Sequence, residues 1–185
     1  MRDHGMLAPG DDDDPRFRRV LVPSEEGLKY LKEDPELSQY WEDMHKATNG
    51  EFLVNRETGE AIGHAFVHTT KKNKGFIFNI EVTPKYRRQG YGWILIDDAV
   101  RRFGGEDLTV RCDNEAAVHL YLDYGFEIYK KGVWYDPPHE EYWMKYDRSK
   151  LTQESTNIFE SGHFAKYKDD VLGFNDDGMA VMKKY

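Results

Sequence analysis

Residues 82–93 read Val82-Thr83-Pro84-Lys85-Tyr86-Arg87-Arg88-Gln89-Gly90-Tyr91-Gly92-Trp93. Before them, Phe76 to Val82 is rich in β-branched and aromatic residues and reads as a strand, which Thr83-Pro84 breaks. After them, Trp93, Ile94, Leu95, Ile96, Ala99, Val100 and Phe103 mark a buried helix that Gly104-Gly105 ends. The stretch is a strand, loop, helix unit, and its loop delivers Gly90 and Gly92 to the start of the helix. First-turn amides lack an intrahelical acceptor, and the positive end of the dipole lies behind them, so such a turn binds anions. The two glycines remove side chains where phosphates would approach the backbone, and Lys85, Arg87 and Arg88 add positive charge. A dinucleotide-binding loop is excluded because no third glycine follows Gly92 at the required spacing. A P-loop is excluded because no Gly-Lys-Ser/Thr follows.

Outward from this unit the patterning is mixed. Phe52 to Val54, Ile62 to His68 and Phe76 to Val82 read as three consecutive antiparallel strands, separated by Thr58-Gly59 and by Lys71 to Gly75. Asp34-Pro35 reads as a cap and first residue of a helix over 35–47, ended by Asn49-Gly50. Leu108 to Arg111 is a fourth strand, and Asn114 caps a helix that Gly125 stops. Phe126 to Tyr129 and Tyr142 to Tyr146 are two further strands around a loop, Gly132 to His139. The fold class is α+β with a mixed central sheet. Residues 1–19, with Asp11 to Asp14 and three arginines, read as a flexible leader; 20–147 form the domain; 148–185 form a C-terminal appendage expected to pack on the core.

The chain has 185 residues, enough for one domain, and 26 Lys and Arg against 34 Asp and Glu leave a formal net charge of -8. That balance disfavours nucleic acid and suits cationic partners. The lone Cys112 rules out an intramolecular disulfide and suits a reducing compartment. With neither an apolar leader nor a stretch of 18 apolar residues, the expectation is a cytoplasmic protein without a membrane span. Composition leaves monomer and homodimer both open.

Arg87-x-x-Gly90-x-Gly92 between a strand and a helix resembles the acetyl-CoA signature of the GNAT acetyltransferase superfamily. Asn114-x-x-Ala117-x-x-Leu120-Tyr121-x-x-x-Gly125-Phe126 is similar to that family's later motif, and the likeness spans residues 50–147. Phe78-Asn79-Ile80 before Val82, Leu108-x-Val110-Arg111, and Trp134-Tyr135 followed by Pro137 look most like the ribosomal-protein N-terminal alanine acetyltransferases. The resemblance implies a GNAT fold with a splayed strand pair, acetyl-CoA as co-substrate, an amine acceptor (peptide, protein or small molecule), and no metal. It implies that Ile80 and Val82 hold the pantetheine arm through their backbone, with the Val82 amide facing the thioester carbonyl. Arg87, Arg88, Gln89, Gly90, Tyr91, Gly92 and Trp93 would cradle the pyrophosphate, and Asn114 would touch the arm.

Acetyl transfer from a thioester needs a deprotonated amine, a stabilised oxyanion and a proton for the departing thiolate. Tyr121 lies seven residues after Asn114, on the same helix face, and is the candidate acid; its ordinary pKa of about 10 lies near that of a thiol. Its alternative is a core tyrosine. Where the resembled enzymes carry a glutamate two residues before Arg111, this chain has Thr109, which cannot accept a proton near neutral pH. Glu81 is the candidate catalytic carboxylate, with His64, His68 and His139-Glu140-Glu141 also open; its alternative is a solvated strand residue. Trp134 and Tyr135 are candidate acceptor-wall residues, or packed hairpin aromatics. A non-catalytic CoA-binding sensor or scaffold is the alternative function.

Overall fold

The structure is a computed structural model and describes residues 14–44, 48–70, 72, 74–135, 137–151, 171–174 and 180–182. Strand β1, Phe17–Val22, already lies in the stretch read as a leader. It pairs antiparallel with β2, Thr48–Asn55, from Phe17 opposite Asn55 to Val22 opposite Gly50. Residues 17–19 therefore belong to the sheet. Polarity misplaced them because Arg19, only 1% exposed, is buried by a partner far along the chain. The first 13 residues of the expected leader lie outside the described residues.

Two short helices follow. Helix α1, Glu25–Lys32, was not anticipated; the Ser24 hydroxyl caps it by accepting from the Gly27 amide at 3.0 Å, and Glu25 and Glu26 occupy its first turn. Helix α2, Pro35–Met44, begins where expected, with the Asp34 carboxylate accepting from the amides of Glu36 and Leu37 at 3.1 and 3.2 Å. Asn49-Gly50 does not end it but sits inside β2, where a Cβ on Gly50 would lie 2.2 Å from the Ala65 carbonyl oxygen.

The remaining elements are β3 (Ala61–Thr69), β4 (Gly75–Val82), α3 (Tyr91–Arg101), β5 (Gly105–Arg111), α4 (Glu115–Tyr124), β6 (Glu127–Tyr135), β7 (Pro138–Lys145), and a small separate pair, β8 (Val171–Phe174) with β9 (Ala180–Met182). The seven-stranded sheet runs β1-β2-β3-β4-β5-β7-β6, and β4 with β5 is its parallel pair. Pairing of β4 with β5 runs only from Gly75 opposite Gly105 to Ile77 opposite Leu108. At that point Phe78 is skipped in the register with β3, a bulge that bends β4 away. The outer halves of β4 and β5 consequently diverge, and the splayed pair expected from the resemblance is present. The stretch 132–139 is not an open loop: β6 and β7 stay paired through Trp134 opposite His139 and Tyr135 opposite Pro138.

One face of the sheet packs on α3 and α4 through Leu53, Ala65, Ile77, Leu95, Leu108 and Met144; the other packs on α1 and α2 through Val20, Leu31, Leu37, Phe52 and Phe66. Within the first core lies a buried charge network. The Arg19 guanidinium donates to Asp98 at 2.7 Å, Arg102 donates to the same carboxylate at 3.0 Å, and Glu51 lies 3.7 Å from Arg19. Burial alone would raise the Asp98 pKa, but the Arg19 and Arg102 charges hold it well below the ordinary carboxylate range. Glu51 goes the other way, pushed well up by burial and then by the charge of Asp98.

Asp98→Asn, which leaves two buried guanidiniums without their carboxylate, is expected to cost about 3–5 kcal/mol by urea denaturation at pH 7. Glu51→Gln, an isostere of the protonated acid, is expected to stay within about 1 kcal/mol. The Asp98 contribution is present above the ordinary carboxylate pKa and is lost as pH falls, so wild type and Asp98→Asn should converge in stability toward pH 2.

Candidate active site

At the end of β4 the Thr83 hydroxyl donates to the Ala61 and Ile62 carbonyls, and a 3₁₀ turn, Pro84–Tyr86, swings the chain outward. Arg88 then adopts φ +64° and Gly90 φ +88°. Two left-handed residues this close turn the loop back onto α3, whose cap is Gly90 and whose first turn receives no side-chain cap. Space above Gly90 is open, since a Cβ there would meet nothing within 4 Å. The first-turn amides of Tyr91 and Gly92 are thus left for an external acceptor.

The loop's side chains divide by role. Arg87 donates to the Val82 carbonyl at 3.0 Å, Gln89 to the Lys85 carbonyl at 3.4 Å, and Lys85 pairs with Glu60 at 2.8 Å. Exposed Arg88 has no partner among the described residues. Tyr91 is buried against Phe17 and Tyr86, and Trp93 packs on Tyr124, so both offer the loop only their main chain. A Cβ on Gly92 would also sit 3.2 Å from the side chain of Leu120 of α4, so this glycine eases the approach of the two helices as well. An open helix N-terminus with Arg88 beside it fits a diphosphate, and the residues present suit coenzyme A.

Ile80 and Val82 pack on the α3 side of the sheet, while Asn79 and Glu81 alternate to the α1–α2 side. Tyr121 lies on the α3 side, 9% exposed, against Phe126. Among the described residues its hydroxyl has no hydrogen-bond partner. Burial pushes its pKa up to about 12, which removes the near match with a thiol expected from ordinary values and keeps the phenol protonated through neutral pH. Asn114 caps α4, its side chain accepting from the Ala117 amide at 3.3 Å.

On the α1–α2 side lies a cavity of about 150 Å³, walled by Tyr30, Glu33, Asp34, His64 and Glu81 over Leu37 and Phe52. Its charged lining is acidic throughout. Glu81 is exposed at its edge, opposite His64 in the register of β3 with β4. His64 is 6% exposed, stacks on Phe66, and bonds through Nε2 to Asn79 Oδ1 at 2.8 Å. Burial lowers its pKa despite that bond and the nearby Glu81. The patterning missed the contribution of Tyr30, Glu33 and Asp34; the Asp34-Pro35 cap was visible, but not that this corner faces β3.

Trp134 and Tyr135 stand outside the cavity. Their hairpin continues three residue pairs beyond Arg111, which lies opposite Glu141, and so projects about 10 Å past the end of β5. Trp134 stacks on Trp143 with centroids 6.2 Å apart and rings 8° from parallel, and Tyr135 is 82% exposed. His139 is held at both nitrogens, by the Pro137 carbonyl at 2.8 Å and Glu141 at 3.1 Å. Among the described residues no group of three or more His, Cys, Asp or Glu is placed to hold a metal ion, and no helix is long and apolar enough to cross a membrane.

Comparison with known proteins follows the same lines. The model of the acetyltransferase (GNAT) family matches residues 16–126. N-alpha-acetyltransferase 20 of Dictyostelium discoideum is 26% identical over 114 residues, 58% of this chain; the match spans 60% of that relative's length. In fold, the chain is similar to the ribosomal-protein-S18-alanine N-acetyltransferase of Escherichia coli, with a TM-score of 0.55, 19% identity, and coverage of 74% of this chain and 97% of that one. It is also similar to the spermidine N-acetyltransferase of Vibrio cholerae in complex with CoA and spermine, with a TM-score of 0.57, 16% identity, and coverage of 74% and 98%. With the splayed strands and the open helix N-terminus already in view, the family match settles the class: the chain belongs to the acetyltransferase (GNAT) family.

Proposed function

We propose that this protein transfers acetyl from acetyl-CoA directly to a primary amine. One observation carries the reading: the gap between β4 and β5 separates an anion cradle on the α3 side from an acidic cavity on the α1–α2 side. An anionic thioester and a cationic amine would meet through that gap from opposite faces. The main chain of residues 88–93 binds the diphosphate, with Arg88 adding charge. Arg87 and Gln89 hold the loop, and Asn114 borders the cofactor arm from the cap of α4.

The backbone edge of β4 at Ile80 and Val82, which β5 does not pair, receives the pantetheine arm, and the Val82 amide donates to the thioester carbonyl as it becomes an oxyanion. Tyr121, kept protonated by burial, donates to the sulfur as negative charge develops there. Glu81 supplies the carboxylate at the acceptor's point of entry and draws in the ammonium form of the amine. Trp134 and Tyr135 form the far wall for acceptors long enough to reach the hairpin. Protein N-termini, lysine side chains and small polyamine-like amines all fit this chemistry, and the similar proteins are named for acting on such amines. A reducing, cytoplasmic setting suits the lone Cys112.

Incubating the protein with acetyl-CoA and a panel of peptides and polyamines, and following thiol release, is expected to show acceptor-dependent turnover. CoA binding without release on any acceptor would instead favour a sensor or scaffold. Tyr121→Phe should lower turnover about 10- to 1,000-fold while CoA affinity changes little; unchanged turnover removes its role. Gly90→Val, forcing a β-branched residue to φ +88° in the cradle, should weaken CoA binding about tenfold or more by calorimetry. Native CoA affinity in a folded Gly90→Val protein would place the diphosphate elsewhere.

A further inference from the structure

Beside the carboxylates of Glu33 and Asp34 at the outer corner of the cavity, the candidate bases read from the sequence are Glu81, His64, His68 and the group at His139 to Glu141. The structure separates them. His139 has an acceptor oxygen at each ring nitrogen, the Pro137 carbonyl and Glu141, so its lone pair is not available to an amine. His68 is four residues along β3 from His64, about 13 Å further from the open end of the β4–β5 gap. Glu81 stands exposed to solvent at the cavity edge.

His64 differs from all three. It is nine-tenths buried, lines the cavity, and lies on β3 directly opposite Glu81 and next to Gly63, the register partner of Val82. Because the Asn79 atom it meets is the carbonyl oxygen, Nε2 carries the hydrogen, and the lone pair is left on Nδ1. Among the described residues Nδ1 has no hydrogen-bond partner, and it is not sealed from solvent. A buried imidazole that lines a cavity, with its proton pinned on one nitrogen and its other nitrogen left without a hydrogen bond, is built to receive a proton.

Resting on the acetyltransferase reading above, we propose that His64 Nδ1 is the base that deprotonates the acceptor amine, and that Asn79 is the positioning residue that holds its tautomer. The ammonium first gives up one proton, through Nδ1, to solvent; as the neutral amine nitrogen then bonds to the thioester carbonyl carbon, a second N–H proton passes to Nδ1. The C–S bond then breaks with its electron pair on sulfur, and Tyr121 supplies the proton that makes the thiol. The proton on His64 leaves to solvent and Tyr121 regains one from it, so the sum is amide plus thiol. Glu81 keeps the task of attracting the ammonium.

The groups facing His64 are Glu81 from β4, Glu33 and Asp34 from the corner between α1 and α2, Glu36 from α2, Tyr30 from α1, and the uncharged Phe52 from β2. These acids favour the imidazolium and burial opposes it; burial is the larger effect, so the base is neutral at pH 7.

The test pairs kinetics with a readout independent of activity. With spermidine and an alanine-first peptide as acceptors, His64→Gln should lower kcat about 100-fold or more, leave the KM for acetyl-CoA within about twofold, and remove the acid limb of the pH profile. Asn79→Asp, which places a charge on the imidazole, should move that limb to higher pH. Histidine-labelled wild type should show the Nε2–H tautomer by ¹⁵N NMR at pH 7. A His64→Gln enzyme with kcat within threefold of wild type, or an Nδ1–H tautomer in the wild type, overturns this proposal alone. A wild-type protein that binds no CoA overturns the acetyltransferase reading, and this proposal with it.

Discussion

The arrangement of the whole site depends on two neighbouring strands parting company. Parallel strands β4 and β5 hold together only to Ile77 and Leu108, and the bulge at Phe78 turns β4 aside before its last four residues. An unpaired backbone edge inside a protein must be satisfied from elsewhere. At Val82 the Arg87 guanidinium supplies part of what it needs, and under the proposed reading the arm of the cofactor supplies the rest. Every residue assigned a role lies on one side or the other of that gap.

Sidedness follows from the strand period. Ile80 and Val82 turn toward α3 while Asn79 and Glu81 turn away, so one segment of β4 presents an apolar face to the α3 side and a polar face to the α1–α2 side. His64 joins the polar face through its register with Glu81, and the corner between α1 and α2 closes it with acids. Acids line the cavity on the α1–α2 side, while Lys85, Arg87 and Arg88 put positive charge on the loop that opens α3.

Helix α3 has to be rigid for its N-terminus to hold an anion, and the buried network supplies the anchor. Asp98 near its end is tied to Arg19 of β1 and to Arg102, which fixes the helix across the sheet. Aromatic contacts of Tyr91 with Phe17 and Tyr86 fix its beginning. Strand β1 therefore supports the cradle from both ends, although it contributes no residue to it.

Much of this was legible in residue order alone, because it rests on local chemistry. The strand–loop–helix unit at 76–103, the Asp34 and Asn114 caps, the stop at Gly125 and the order of β2, β3 and β4 each follow from backbone preferences that act over a few residues. Strand β1 and helix α1 escaped because Arg18 and Arg19 read as solvated until Asp98, 79 positions later, is seen to bury one of them. The β6–β7 hairpin escaped because pairing, not the composition of residues 132–139, keeps it extended. Gly92 was legible as a glycine, but its second contact, with Leu120, belongs to helix packing. Sequence by itself determined which chemical groups the chain carries and the family they announce. Only the tertiary structure decided which histidine keeps an open nitrogen, because that depends on Asn79 and Pro137 reaching across strands and turns, and hydrogen-bond partners distant in the chain leave no local trace.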